Sequence, residues 1–295
     1  MMISKRLYSV FCSVCCGFAV ALTSCSSIDE NERLIYVDPG VSVDTTSVAE
    51  TDSLYDAPVA VVPRNVLIED HTGQKCPNCP EASKLVHDFV QQYGNRVIPV
   101  AIHSEAQGIM EPEGLGTQLG NTYYNNWNIK FKPAGLISRV DGGDGVVLDK
   151  TVWIYALQYV LGEETPLDIR VKAVATETNT ADVDVKVICA REGSSVNGKL
   201  QVWLTEDNIV AEQDSMGVHL ADYIHNHVLR AAVNGTWGES VSLTGTEGSN
   251  IKEFHYAVPL SQAWKPENLT VVAFVYGNDD GVVAQAAKAK LKIKE

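Results

Sequence analysis

Two cysteines three positions apart, Cys76 and Cys79, stand where one hydrophobic periodicity gives way to another. Ahead of them residues 61–68 form an apolar, β-rich stretch whose start is demoted to an edge by Pro63. Behind them Ala82, Leu85, Val86, Phe89, Val90 and Tyr93 recur at the spacing of one helical face. Gly94 follows, where a helix end favours positive φ. Residues 97–102 (VIPVAI) then read as a short buried strand. Strand, cysteine pair, helix and strand in that order predict a βαβ unit with the pair at the helix N-terminus.

That placement has chemical consequences. A helix N-terminus offers free N–H groups and a partial positive charge, both of which favour a thiolate over a thiol. Cys76 has the cation Lys75 beside it, and Cys79 lies one turn on, placed to resolve a mixed disulfide. The expectation is one sulfur open to attack, Cys76, and one shielded, Cys79. Three other readings compete: a permanent disulfide pinning the helix start, half of a zinc site, and an intact pair without a physiological partner. No second cysteine pair exists and the seven histidines are scattered, so zinc is discounted and no metal or other cofactor is called for. Pro133 precedes a predicted strand over residues 134–140. In the thioredoxin fold a cis-proline ahead of a strand packs against the active-site disulfide, and Pro133 has that place in the order; its isomer is not legible in sequence.

The remainder divides by texture. A helix is predicted over 115–128, a turn at Asp141-Gly142-Gly143-Asp144-Gly145 and a further helix over 149–161. Beyond Pro166 the period becomes two: residues 167–174 and 181–187 alternate strictly. Further strands are predicted near 199–205, 251–258, 269–276 and 286–294, with turns at Asn197-Gly198, Asn234-Gly235 and residues 278–281. This predicts an antiparallel sandwich of immunoglobulin-like architecture, without the usual disulfide because Cys189 is the only cysteine there. Cys189 is expected to be a small buried hydrophobe. His225-Asn226-His227, if on a strand, puts two imidazoles on one face. His219 and His255 are the candidates for a third ligand, but surface or packing roles fit them better.

The front of the chain points to export. Lys5 and Arg6 precede the apolar residues 7–22, a run too short for a spanning helix and suited to a signal peptide. It ends in Leu22-Thr23-Ser24-Cys25, the shape of a bacterial lipobox, which makes Cys25 the expected lipidation site. Residues 26–60 are rich in Ser, Thr and Asp and read as a disordered acidic tether. Acidic residues so soon after Cys25, at Asp29, Glu30 and Glu32, look like cell-surface export signals of Bacteroidota. With 37 acidic against 23 basic residues and a net charge of -14, the chain repels phosphate backbones, which excludes nucleic acid as a partner. A hydrophobic share of 45% with one long apolar run excludes a polytopic helical membrane protein. No nucleophile-elbow, zincin or phosphate-loop pattern occurs.

Several separated motifs agree on a resemblance. Residues 72–80 (TGQKCPNCP), 100–103 (VAIH), 202–210 (VWLTEDNIV) and 225–230 (HNHVLR) look like the twenty-eight-kilodalton outer-membrane protein family of Bacteroidota lipoproteins. The resemblance spans most of residues 64–290. It implies an α/β thioredoxin-like domain followed by an all-β immunoglobulin-like sandwich, in a family associated with surface adhesion. The resulting expectations are a lipoprotein signal over 1–24, a tether over 25–60, a thioredoxin-like domain over 61–164 and a sandwich over 165–295. The protein is expected at the outer membrane, anchored through lipid on Cys25 and possessing an unidentified protein partner. Two functions stay open: thiol–disulfide exchange with Cys76 as nucleophile, Cys79 resolving and Pro133 shaping the groove, or surface binding with a structural Cys76–Cys79 disulfide.

Overall fold

The computed structural model describes residues 55–294; Cys25, the signal and most of the tether lie outside the described residues. The chain is already pinned from Tyr55, ahead of the predicted start at residue 61. The buried Arg170 guanidinium bonds the carbonyls of Tyr55, Ala57 and Pro58.

The first unit is as the periodicities require. Strand β1 (Val66–Thr72) leads through the cysteine loop into helix α1 (Cys79–Tyr93), and β2 (Val97–His103) returns parallel to β1. Helix α2 (Gln118–Asn126) follows, its N-terminus capped by Thr117 Oγ1, which accepts from the Gly120 N–H at 2.9 Å. Strand β3 (Ala134–Ile137) pairs antiparallel with β1, and β4 (Leu148–Asp149) pairs with β3. β3 is shorter than predicted because Ser138 and Arg139 both take left-handed backbone, φ 46° and 57°, which turns the chain out of the ladder. Helix α3 (Trp153–Gly162) closes this half, and Val66, Ile68, Ala82, Val86, Phe89, Trp153, Leu157 and Val160 pack between helices and sheet.

The alternating segments become β5 (Leu167–Ala175) and β6 (Thr180–Cys189), with Val183, Val185, Val187 and Cys189 buried. Then come β7 (Ser195–Glu206), β8 (Ile209–Ser215), β9 (Val218–His225), β10 (Val228–Ala232) and β11 (Glu239–Thr244). The last four are β12 (Ile251–Pro259), β13 (Leu269–Gly277), β14 (Val283–Lys290) and β15 (Lys292–Ile293). Asn197-Gly198 is not a turn but part of β7. A Cβ at Gly198 would lie 2.3 Å from the Tyr276 carbonyl, so glycine there serves close strand approach.

The sheet topology crosses the predicted boundary between residues 164 and 165. One nine-stranded sheet runs β14-β13-β7-β10-β2-β1-β3-β4, with β11 also on β7. β10 meets β2 in parallel at Ala101 alone, next to Pro99, whose missing N–H gives no donor for a longer ladder. A second sheet, β12-β6-β5-β15, packs on the β7–β13 region around Val202, Leu204, Val241, Val271 and Ala273. The molecule is therefore mostly β, built from several sheets, with two of them packed face to face. The opposite face of the long sheet joins the halves through Leu67, Ile98, Ile102, Tyr123, Trp203 and Phe274. There the Trp203 indole donates to Tyr123 Oη at 3.0 Å, and Tyr123 donates on to the Thr236 carbonyl. β8 and β9 belong to neither sheet; they form a separate two-stranded hairpin.

Candidate functional site at the cysteine pair

The loop from Gly73 to Asn78 connects β1 to α1, and its conformation is fixed from both sides. The Lys75 N–H donates to the Gln107 carbonyl, and the Gln74 side chain accepts from the Leu115 N–H. A Cβ at Gly73 would meet the Gln107 carbonyl oxygen at 2.3 Å, so only glycine allows this approach. Cys76 N–H bonds back to Gly73, and Cys79 N–H to the Cys76 carbonyl. Cys76 and Cys79 form a disulfide with Cα atoms 5.4 Å apart. α1 starts at Cys79, with Pro80 and Glu81 in its first turn, so Cys76 lies one turn ahead of the first helical residue.

Neither cysteine is exposed; Cys76 is 0% and Cys79 1% accessible. The sequence expectation of an open Cys76 fails for a tertiary reason: the β8–β9 hairpin lies over the loop. Asp214 N–H donates to the Gln74 carbonyl at 2.7 Å and Met216 N–H to the Pro77 carbonyl at 3.1 Å. The buried Gln213 amide donates to the carbonyls of Gly73 and Cys76 at 3.2 and 3.1 Å. Lys75, expected to bias the Cys76 thiol, is instead paired with Glu212 at 2.8 Å.

Pro133 follows a cis peptide bond from Lys132. Ala134 is opposite His71 in the β1–β3 ladder, so Pro133 stands at the sheet end from which the cysteine loop leaves. The buried Lys132 ammonium holds that corner, donating to the Thr72 carbonyl, Ser104 Oγ and the Ala106 carbonyl at 2.5, 2.8 and 2.6 Å.

A cavity lies behind this corner, between the sheet, α1 and the hairpin, lined by Asp70, Ser83, His103, Gln213 and His225 among others. Asp70 Oδ1, His103 Nδ1 and His225 Nε2 are buried there without a hydrogen-bond partner. Burial pushes the Asp70 carboxyl up to about 7, with Lys132 pulling the other way. Burial likewise lowers Lys132 to about 8 and His225 to about 4, and depresses His103. Asp70 and Lys132 were missed in the sequence, although Glu69-Asp70-His71 inside an otherwise apolar strand was a signal.

His225 and His227 do not meet a common ligand. His225 ends β9 and packs edge-on against His103 at 5.4 Å, whereas His227 leaves the strand with φ 57° and pairs with Asp207 at 3.0 Å. His219 and His255 go to Asp214 and Asp184. Among the described residues no trio of His, Cys, Asp or Glu gathers to hold a metal, and no helix is long and apolar enough to cross a membrane. The Asp141 loop is the expected turn, its carboxylate accepting from the N–H groups of Gly143 and Gly145.

HBP35 of Porphyromonas gingivalis has a similar fold, with TM-score 0.62 at 14% identity over 78% of this chain and 76% of that one. A domain of the outer membrane lipoprotein Omp28 from Porphyromonas gingivalis is 24% identical over 44% of this chain and 92% of its own, with TM-score 0.33. No curated protein sequence matches. The family model of outer membrane protein Omp28 matches residues 120–295, more than half of the chain. This protein belongs to the Omp28 family of outer membrane proteins, and the outer membrane is its location.

Proposed function

We propose that the protein is an outer-membrane lipoprotein, held by lipid on Cys25 and facing the cell surface, whose residues 61–164 form a thioredoxin-like part performing thiol–disulfide exchange. Residues 165–295 form the sandwich that presents it. The observation that carries this reading is Asp70. A buried carboxyl with an unpartnered oxygen destabilises a fold by roughly 1–3 kcal/mol, a cost that a merely structural disulfide does not require. Its cavity is bounded by Ser83, which bonds the Cys79 carbonyl, and by Gln213, which bonds that of Cys76. A carboxyl titrating at about 7 is suited to exchanging a proton with a thiol at neutral pH.

In this scheme a substrate thiolate attacks Sγ of Cys76, and the Cys76–Cys79 bond breaks. Cys79 leaves as a thiolate and takes the proton of Asp70. A second substrate thiolate then attacks the substrate sulfur of the mixed disulfide and releases Cys76 as a thiolate, which takes a proton from solvent. The substrate dithiol ends as a disulfide and the protein as a dithiol. Pro133 shapes the groove beside the pair.

The measurement is the Cys76–Cys79 reduction potential, together with capture of mixed disulfides by Cys79→Ser. A potential above about -300 mV with captured partners supports exchange; one below about -300 mV without them leaves a structural bridge. The second reading, a surface binding lipoprotein with a structural disulfide, is favoured by the burial of both sulfurs under the hairpin.

Lipid anchoring has its own test. Cys25→Ala is expected to move the protein from the membrane to the soluble fraction and to abolish incorporation of labelled fatty acid. A variant that stays membrane-bound and labelled would overturn the anchor.

A further inference from the structure

The carbonyls of Gly73, Gln74, Cys76 and Pro77 all accept hydrogen bonds from one source, the β8–β9 hairpin. The two backbone donors are Asp214, near the end of β8, and Met216, in the turn that follows it, and they reach the carbonyls of Gln74 and Pro77 at 2.7 and 3.1 Å. The ladder of the hairpin slips between Ala211 and Gln213, and such a bulge re-aims side chains. Here Glu212 reaches Lys75 while Gln213 enters the loop. The tip, Met216-Gly217, turns through two left-handed residues, φ 44° and 87°. Val210, Met216 and Val218 stand exposed on the hairpin. The hairpin pairs with neither sheet, so these bonds, together with the buried Tyr223 and His225 rings, hold it over the pair.

We infer that the row of carbonyls around the disulfide is a docking register for a cysteine-bearing polypeptide segment, and that the β8–β9 hairpin is the chain's own occupant of it. The inference rests on the exchange reading and names its substrate class. A segment entering the register replaces the N–H donors of Asp214 and Met216 with its own, so displacing the hairpin leaves no carbonyl unpaired. The same register sets its cysteine against Sγ of Cys76, where thiolate attack forms the mixed disulfide and Cys79 departs as a thiolate that is then protonated.

The test uses the full chain and compares Gln213→Ala, which removes the donor to Gly73 and Cys76, with Glu212→Gln, which weakens only the exposed pair with Lys75. The probes are dithiothreitol, 2-mercaptoethanol, a ten-residue peptide with one central cysteine, and the same peptide with serine in its place. Gln213→Ala is expected to be reduced by dithiothreitol about tenfold faster than wild type, with Glu212→Gln between them. The cysteine peptide is expected to outpace 2-mercaptoethanol per thiolate in forming the mixed disulfide. The serine peptide is expected to slow dithiothreitol reduction of Gln213→Ala. Wild-type reduction rates in both variants, with unchanged hydrogen exchange over residues 209–225, would show that the hairpin is no cover and overturn the inference. Faster reduction without any peptide preference would overturn the docking register. A potential below -300 mV sinks the exchange function yet leaves these relative rates readable, so the two failures are distinct.

Discussion

Replacing Arg139 by alanine is expected to cost about 3–5 kcal/mol of stability, the range for breaking a buried ion pair by deleting one member. Arg139 Nε and Nη2 bond the two oxygens of Glu69 at 2.6 and 3.1 Å, with side-chain exposures of 4% and 0%. The guanidinium also lies 4.9–5.1 Å from the ring centres of Trp127, Phe274 and Tyr276. Deleting it strands the Glu69 carboxylate in the core and removes the surface on which those rings rest. The double variant Glu69→Gln/Arg139→Met, free of the stranded charge, is expected to recover a large part of the loss. Denaturant titrations of the two single variants and the double give the coupling directly. A cost below about 1 kcal/mol for Arg139→Ala would mean that water reaches Glu69.

Asp70→Asn is expected to stabilise the protein at pH 8 by about 2–4 kcal/mol and to leave it unchanged at pH 4. In the fold the carboxyl titrates at about 7, above its ordinary 3.8, so the folded state holds a proton that the unfolded state releases. Asp70 thus favours folding below pH 4, and that contribution is lost as pH rises to 7, with no further change beyond. Asparagine removes this slope, though Lys132 loses a counter-charge, which trims the gain. Buried His71, lowered to about 3, and His225, lowered to about 4, act in the opposite sense in both proteins. Their contribution is full above pH 6.5 and is lost as pH falls through their folded values. Denaturation midpoints between pH 4 and 8 check the difference. A constant offset at all pH values would mean that Asp70 is already ionised. The same variant is expected to slow disulfide exchange, trading activity for stability.

Local pattern made part of this molecule legible. The helical stripe from Ala82 to Tyr93 and the alternation of residues 167–174 and 181–187 each need only one element and one buried face, and each appears as α1, β5 and β6. The cysteine pair was visible for the same reason, being the junction between two such elements. Its cover was not. The hairpin is joined to the loop by main-chain groups, the side chains of Gln74 and Gln213 and the Lys75–Glu212 pair, from a segment far away in sequence and without a motif. Asp70 was hidden likewise: a carboxylate in a strand reads as solvent-facing until a helix and a hairpin enclose it. His227 departed from a period-two reading through its own backbone, since φ 57° ends the strand beyond His225. The junction of β10 with β2 rests on a single pairing at Ala101, beside a proline that would ordinarily argue against a central strand.

The long sheet has a consequence for biogenesis. Its order places β2, made early, against β10, and the Arg64 side chain bonds the carbonyl of Val283 in β14. An exported chain emerging N-terminus first can complete the βαβ unit, but β2 keeps an open edge until residue 228 has crossed. Open edges recruit other strands, and pairings so distant in sequence form slowly. The first half therefore keeps an aggregation-prone strand edge open until the second half has followed it.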